Sequence, residues 1–173
     1  IRFKRQHFGA ALAITVGRGL LVNLGFYSHY MQQLHGHLTL EPIIGPLTGF
    51  VALFSIGIAW FKDIPDTKGD AEYHFGTLAV RMGRGSALVL GAVVVVLAYL
   101  AIIIPALVGL LPYPAWYTLS FGLPLIAFVT MAARLEVDDD VQVKRFYMLF
   151  WVLFFLAYVV YPLPYLLAID GTF

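Results

Sequence analysis

The sequence predicts an all-α fold, a polytopic membrane helix bundle, and three observations carry that prediction. Of its 173 residues, 61% are hydrophobic and 12% charged, against about 45–50% apolar and about 25% charged in a soluble domain. The apolar residues gather into five runs of membrane-crossing length. The basic residues gather on alternate connections between those runs, as they do in multi-pass proteins.

In chain order the runs lie at 8–30, 43–61, 86–110, 115–134 and 146–168. Arg2, Lys4 and Arg5 precede the first, Lys62, Lys68, Arg81 and Arg84 separate the second from the third, and Arg134, Lys144 and Arg145 flank the last connection. The opposite connections, 31–42 and 111–114, and the carboxy terminus hold neither lysine nor arginine, so the positive-inside rule makes the basic side cytoplasmic. Tyr27, Tyr30, Trp60, Tyr113, Trp116, Tyr117, Tyr161 and Tyr165 mark span ends, where amphipathic rings prefer the interface. Pro42 and Pro46 open the second run, Pro112 and Pro114 form a tight connection, and Pro162 and Pro164 close the last. Pro105 and Pro124 fall inside helices and should bend them, which a membrane bundle tolerates. Small-residue pairs at Gly45 with Gly49, and Gly9 with Ala13, are expected to permit close helix packing.

Net charge of +1 and the lack of a basic block interleaved with aromatics exclude nucleic acid as a partner, leaving membrane lipid as the surrounding medium. Absence of cysteine removes disulfides, thiolate zinc sites and cysteine nucleophiles from this segment. The chain opens Ile1-Arg2-Phe3-Lys4 directly ahead of an apolar run, which suggests that it begins partway through a longer protein.

The connection Phe61-Lys62-Asp63-Ile64-Pro65-Asp66-Thr67-Lys68-Gly69-Asp70-Ala71-Glu72 is the informative segment. Carboxylates at i, i+3 and i+7 share one face of a helix, so Asp63, Asp66 and Asp70 point the same way and repel one another, although Pro65 and Gly69 argue against a fully regular helix. A hard divalent cation relieves that repulsion; magnesium takes one or two carboxylates together with substrate phosphates and water. Lys62, Lys68, Arg81 and Arg84 are placed to hold the remaining phosphate charge. The bland alternative is a solvated loop of mixed charge.

The string Lys62 to Asp70 resembles the second aspartate-rich motif of the UbiA prenyltransferase superfamily, above all its homogentisate prenyltransferase branch. Arg18-Gly19-Leu20-Leu21-Val22-Asn23-Leu24-Gly25 is similar to the span that precedes the motif in that branch, and Gly76-Thr77-Leu78-Ala79-Val80-Arg81-Met82-Gly83 to the segment that follows it. The resemblance implies nine membrane helices around a cavity, with two aspartate-rich cytoplasmic loops facing each other across a magnesium–diphosphate site. The five spans here would be the last five, residues 1–173 forming the carboxy-terminal part of a single domain. Its first motif, an asparagine with two spaced aspartates, is not in this sequence, so the metal site is expected to be divided and residues 1–173 alone inactive. The implied reaction moves a prenyl group from an isoprenyl diphosphate to an aromatic acceptor. The resemblance points to homogentisate, while related branches that use other rings leave the acceptor open.

Arg18 lies well inside the first run, where a central arginine costs about 2.5–3.5 kcal/mol on insertion scales and so should face the bundle interior. With His29 on the same face it reads as a diphosphate or acceptor contact, or else it snorkels to the interface. Asn23, with Tyr27 and Tyr30, either lines the cavity or bonds between helices. His35-Gly36-His37 reads as a wet interfacial loop, and Glu136-Val137-Asp138-Asp139-Asp140 as a solvated cap rather than a second metal site. Two other functions stay open at this level. A CDP-alcohol phosphotransferase also clusters aspartates, but Asp66 is followed by Thr67 where that motif needs glycine. A transporter or ion-binding subunit would pair ionisable groups at mid-membrane, where only Arg18 stands.

Overall fold

The computed structural model describes residues 7–169, so Arg2, Lys4 and Arg5 of the charge argument lie outside the described residues. Helices α1 (His7–Ile14), a π-helical segment (Thr15–Val22) and α2 (Asn23–His35) follow one another without a break. Then come α3 (Ile44–Glu72), short α4 (Leu78–Met82), α5 (Arg84–Leu107), α6 (Pro114–Ala133), α7 (Asp140–Val160) and α8 (Leu163–Ile169), with no strand among the described residues. Helices dominate because a backbone surrounded by hydrocarbon must satisfy its own amides. Among the described residues, four helices are long and apolar enough to cross a membrane: Ile44–Glu72, Arg84–Leu107, Pro114–Ala133 and Asp140–Ala168. The first of the five expected spans is a compound helix instead, divided by its π turns.

Large apolar side chains at helical spacing point outward, among them Val89, Val93 and Leu97 on α5, Leu119, Leu123 and Ile126 on α6, and Met148, Val152, Phe155 and Val159 on α7. A stripe of this kind on three helices is an exposed apolar surface suited to hydrocarbon. The core is aromatic and centred on α3: Phe54 stacks on Phe150 with centroids 4.3 Å apart, and Phe61 meets Phe150 edge-on at 4.9 Å. Phe50 meets Tyr99 of α5 at 5.4 Å and Phe121 of α6 at 5.7 Å. Offset and edge-on ring pairs of this kind add to area burial.

The tightest helix contacts are at Gly19, Gly57 and Gly91 rather than at Gly45, around which a Cβ would meet nothing within 4 Å. A Cβ on Gly19 would stand 2.7 Å from the Ala52 Cα, and one on Gly57 2.6 Å from Val95. At Gly91 it would collide with the Phe61 ring, so α5 can lie against α3 only without that carbon. Pro105 and Pro124 sit within α5 and α6, which run on past both. At the end away from the aspartates, Tyr161 donates to the Ile43 carbonyl at 2.6 Å, Tyr117 to the Tyr161 carbonyl at 2.9 Å, and Trp116 to the Val160 carbonyl at 3.2 Å.

Gly19→Ala and Gly91→Ala should each destabilise the bundle by about 1–3 kcal/mol, the usual penalty for overpacking, whereas Gly122→Ala on α6, with open space around it, should not. Thermal unfolding of the purified variants in detergent micelles gives the ranking, and equal melting temperatures for all three would contradict the packing described.

Candidate active site at the end of helix α3

Helix α3 has 29 residues, about 43 Å at 1.5 Å per residue, while the hydrocarbon core is about 30 Å thick. Its polar last turns, from Lys62 onward, therefore project beyond the apolar stretch. Here the structure corrects the expectation of an irregular acidic loop, because α3 continues through Pro65 and Gly69 to Glu72. Phe61 and Ile64 are buried at 1% exposure and hold this stretch against the core, which outweighs the amide that Pro65 lacks. Thr67 adds hydrogen bonds from its hydroxyl to the Ile64 carbonyl at 2.7 Å and the Asp63 carbonyl at 3.1 Å. The helix ends in a Schellman-type turn: His74 is left-handed at φ 59°, its amide bonds the Ala71 carbonyl, and the Phe75 amide bonds the Asp70 carbonyl.

Asp63, Asp66 and Asp70 thus share one face of a real helix, but they are not equivalent. Asp63 is buried, Asp66 exposed and Asp70 half-buried. Burial pushes the Asp63 carboxyl up to about 6; Lys62 draws it back, and Asp70 and Asp66 push it up further. Hard oxygen donors whose mutual charge is unfavourable suit a divalent cation. Among the described residues no three His, Asp or Glu side chains close on one point.

The cations have separate fates. Lys62 is exposed beside Asp63. Lys68 reaches Asp140 at 3.4 Å while its side chain remains 80% exposed. Arg84, by contrast, is 10% exposed; its Nη1 donates to Asp140 at 2.7 Å and to the Val137 carbonyl at 3.0 Å. Arg84 thus ties the start of α5 to the start of α7. Arg81 is exposed, and its guanidinium lies over Gly76, where a Cβ would be 3.0 Å from Nε and Nη2. The acidic run is more than a solvated cap: Asp139 accepts from the Val141 and Gln142 amides at 2.8 and 3.1 Å as the N-cap of α7, and Asp140 binds Arg84.

Arg18 and Asn23 are not at this end. They belong to the π turns and their border with α2, where Asn23 is buried and its Nδ2 donates to the carbonyls of Arg18 and Gly19, both at 2.9 Å. The wider i→i+5 turns misalign backbone carbonyls, and the Asn23 amide satisfies two of them. The Arg18 guanidinium lies 5.2 Å from the Trp151 ring centroid and 5.9 Å from that of Phe154, and Tyr158 stands beside it and Asn23. Nothing in the sequence linked α7 to Arg18. His29 is exposed and packs edge-on against Tyr30. Tyr27 anchors the following loop, donating to the Thr39 carbonyl at 2.9 Å and accepting from the Glu41 amide at 2.8 Å.

The UbiA prenyltransferase family matches residues 1–157 of the sequence. The chain belongs to the UbiA prenyltransferase family. This UbiA-family chain is 33% identical over 164 residues to a homogentisate phytyltransferase of Synechocystis sp., covering 94% of the chain and 53% of the relative. It is 34% identical over 168 residues to a homogentisate geranylgeranyltransferase of Triticum aestivum, covering 94% and 40%. It is 30% identical over 168 residues to a chloroplastic homogentisate solanesyltransferase of Arabidopsis thaliana, covering 94% and 43%. The chain spans about half the length of the curated relatives it matches. No solved structure matches it significantly. Membership in this family decides against the phosphotransferase and transporter alternatives.

Hydrogen bonds from the Gln142 and Val141 amides hold the Asp139 carboxyl below its ordinary value of 3.8, and the bond from Arg84 does the same for Asp140. A folded pKa below the unfolded one means that cap and clamp contribute fully above about pH 4 and are lost as pH falls through the folded values. Thermal melts should therefore show Asp140→Asn less stable than wild type at neutral pH, with the gap closing as the pH falls below the ordinary aspartate value of 3.8. A gap unchanged by acidification would show that the Asp140 charge does not act through Arg84.

Proposed function

We propose that this chain is the carboxy-terminal part of a magnesium-dependent prenyltransferase that moves a prenyl group from an isoprenyl diphosphate to an aromatic acceptor, homogentisate, within the membrane. The observation that carries the reading is the placement of Asp63, Asp66 and Asp70 on one face of α3, in a chain of the UbiA family, where the helix leaves its apolar stretch. The three relatives named above differ in the prenyl group and agree on homogentisate, which supports the acceptor more than any one donor length.

In this reading Asp63, Asp66 and Asp70 hold the metal, and Lys62, Lys68 and Arg81 pair with phosphate oxygens that the metal leaves uncompensated. Lys68 is suited to this by exposure, since its bond to Asp140 is long and solvated and can be exchanged for a phosphate at little cost. Magnesium, when bound, would supply Lewis acidity and neutralise charge on the departing diphosphate. The bond between the allylic carbon and oxygen breaks with its electron pair leaving on diphosphate. A ring carbon of the acceptor then supplies the pair for the new carbon–carbon bond, and the ring regains aromaticity by releasing a proton. The apolar face of α3 keeps water from the allylic cation. Arg18 and Asn23 are assigned to substrate, deeper in the bundle. The family's other aspartate-rich motif would lie in an amino-terminal half, so residues 1–173 by themselves would not turn over.

In the full-length protein, Asp63→Asn and Asp66→Asn preserve size but remove the anionic oxygen, and should cut the rate on the order of 100-fold or more, with partial recovery at raised magnesium. Asp70→Asn should be milder and Asp139→Asn nearly silent, because asparagine also caps a helix. Rates at several magnesium concentrations, with expression checked in each case, test the assignment; near-normal turnover by the first two variants would reduce the motif to a charged helix end.

The aspartate end is proposed to face the cytoplasm on the strength of the lysine and arginine asymmetry. Cysteines replacing Lys68 and Asp139 should react with an impermeant thiol reagent from the cytoplasmic side only, and one replacing Gly36 from the other side only. Labelling of the Lys68 and Gly36 positions from the same side would overturn this topology.

A further inference from the structure

We infer that Arg18, seated against the rings of Trp151 and Phe154, forms the subsite that takes the carboxylate of an aromatic acid acceptor. The inference deepens the prenyltransferase reading and rests on it. Arg18 is half-buried, yet its Nη1 is shielded and has no hydrogen-bond partner among the described residues. Ring faces 5.2 and 5.9 Å away attract the guanidinium but accept no directed hydrogen bond. Asn23 spends its amide hydrogens on the backbone of the π turns. A guanidinium so placed in a low-dielectric interior is completed by an anion, and its planar fork matches a carboxylate in two-point fashion.

Position along the bundle decides which anion. Phe154 packs on Phe54 of α3 with centroids 5.2 Å apart, which sets the guanidinium level with Phe54. Asp63 is nine residues further along the same helix, about 13 Å at 1.5 Å per residue. A diphosphate held at the aspartates does not reach that depth. An aromatic ring placed about 3 Å from the allylic carbon, with a short acid arm turned away from the diphosphate, extends into this interval. Its ring would lie along the apolar faces of Trp151 and Phe154, and Tyr158 and Asn23 border the acid. Homogentisate, a dihydroxyphenyl ring carrying an acetate arm, has this shape.

The test uses membranes containing the full-length protein, with prenyl transfer measured for homogentisate and for 2-methylhydroquinone, which keeps the hydroxylated ring and replaces the acid arm by methyl. Wild type should favour homogentisate in kcat/KM. Arg18→Gln should raise KM for homogentisate by about tenfold or more, with KM for the isoprenyl diphosphate within about twofold of wild type and a clearly smaller loss on 2-methylhydroquinone. Arg18→Lys should restore part of the homogentisate KM. A rise in KM for the diphosphate, an equal loss on both acceptors, or a wild type indifferent to the carboxylate would each overturn the inference. If Arg18→Gln fails to accumulate, Arg18→Lys and the wild-type comparison decide the same question. A wild type that prenylates neither acceptor would instead overturn the prenyltransferase reading, a failure distinguishable from the loss of acid selectivity alone.

Discussion

The continuity of helix α3 through Pro65 is the constraint on which the rest of this molecule depends. Inside a bilayer an amide without a partner costs several kcal/mol, so one continuous helix of 29 residues can serve as the support for everything else. Phe50, Phe54 and Phe61 organise the aromatic core from one part of it, and Asp63, Asp66 and Asp70 stand on its extension. Packing and chemistry are thus carried by one rigid element. A break at Pro65 would have left the carboxylates on a loop whose relation to the core was undefined.

The two ends of the bundle are fastened by different means. Away from the aspartates, tyrosine and tryptophan side chains donate to carbonyls at Ile43, Val160 and Tyr161, satisfying backbone groups that helix termini leave open. At the aspartate end the fastening is ionic, from the shielded Arg84 to Asp140, with Lys68 as a loose third member. The contrast fits the work proposed for each end: directed neutral bonds suit a permanent closure, and a solvated ion pair suits a lysine that must exchange partners.

Much of this was legible in the sequence. Hydropathy located the four long helices because burial in lipid selects residues by type, and carboxylate spacing put three aspartates on one face because that is a property of helical geometry alone. The continuity of α3 through Pro65 and Gly69 was not legible, since it depends on Phe61 and Ile64 being anchored by α5, α6 and α7. Nor were the π turns at Thr15–Val22, whose composition is that of an ordinary span. Arg84 and Lys68 meet Asp140 across 56 and 72 residues of chain, and no local pattern encodes such a meeting. The same holds for Trp151 and Phe154, whose place beneath Arg18 emerges only when α7 docks.

The π turns also act as a phase shift. Each takes in more residues than an α turn, so the faces of α1 and α2 are set out of step with a single continuous helix, and Gly19 is brought onto Ala52 while Arg18 turns toward α7. Deleting one residue between Thr15 and Val22 would narrow the turn and disturb the setting of Gly19 on Ala52 and of Arg18 on Trp151. The extra turn width is therefore tied to the amide of Asn23, which satisfies two of the carbonyls it leaves open.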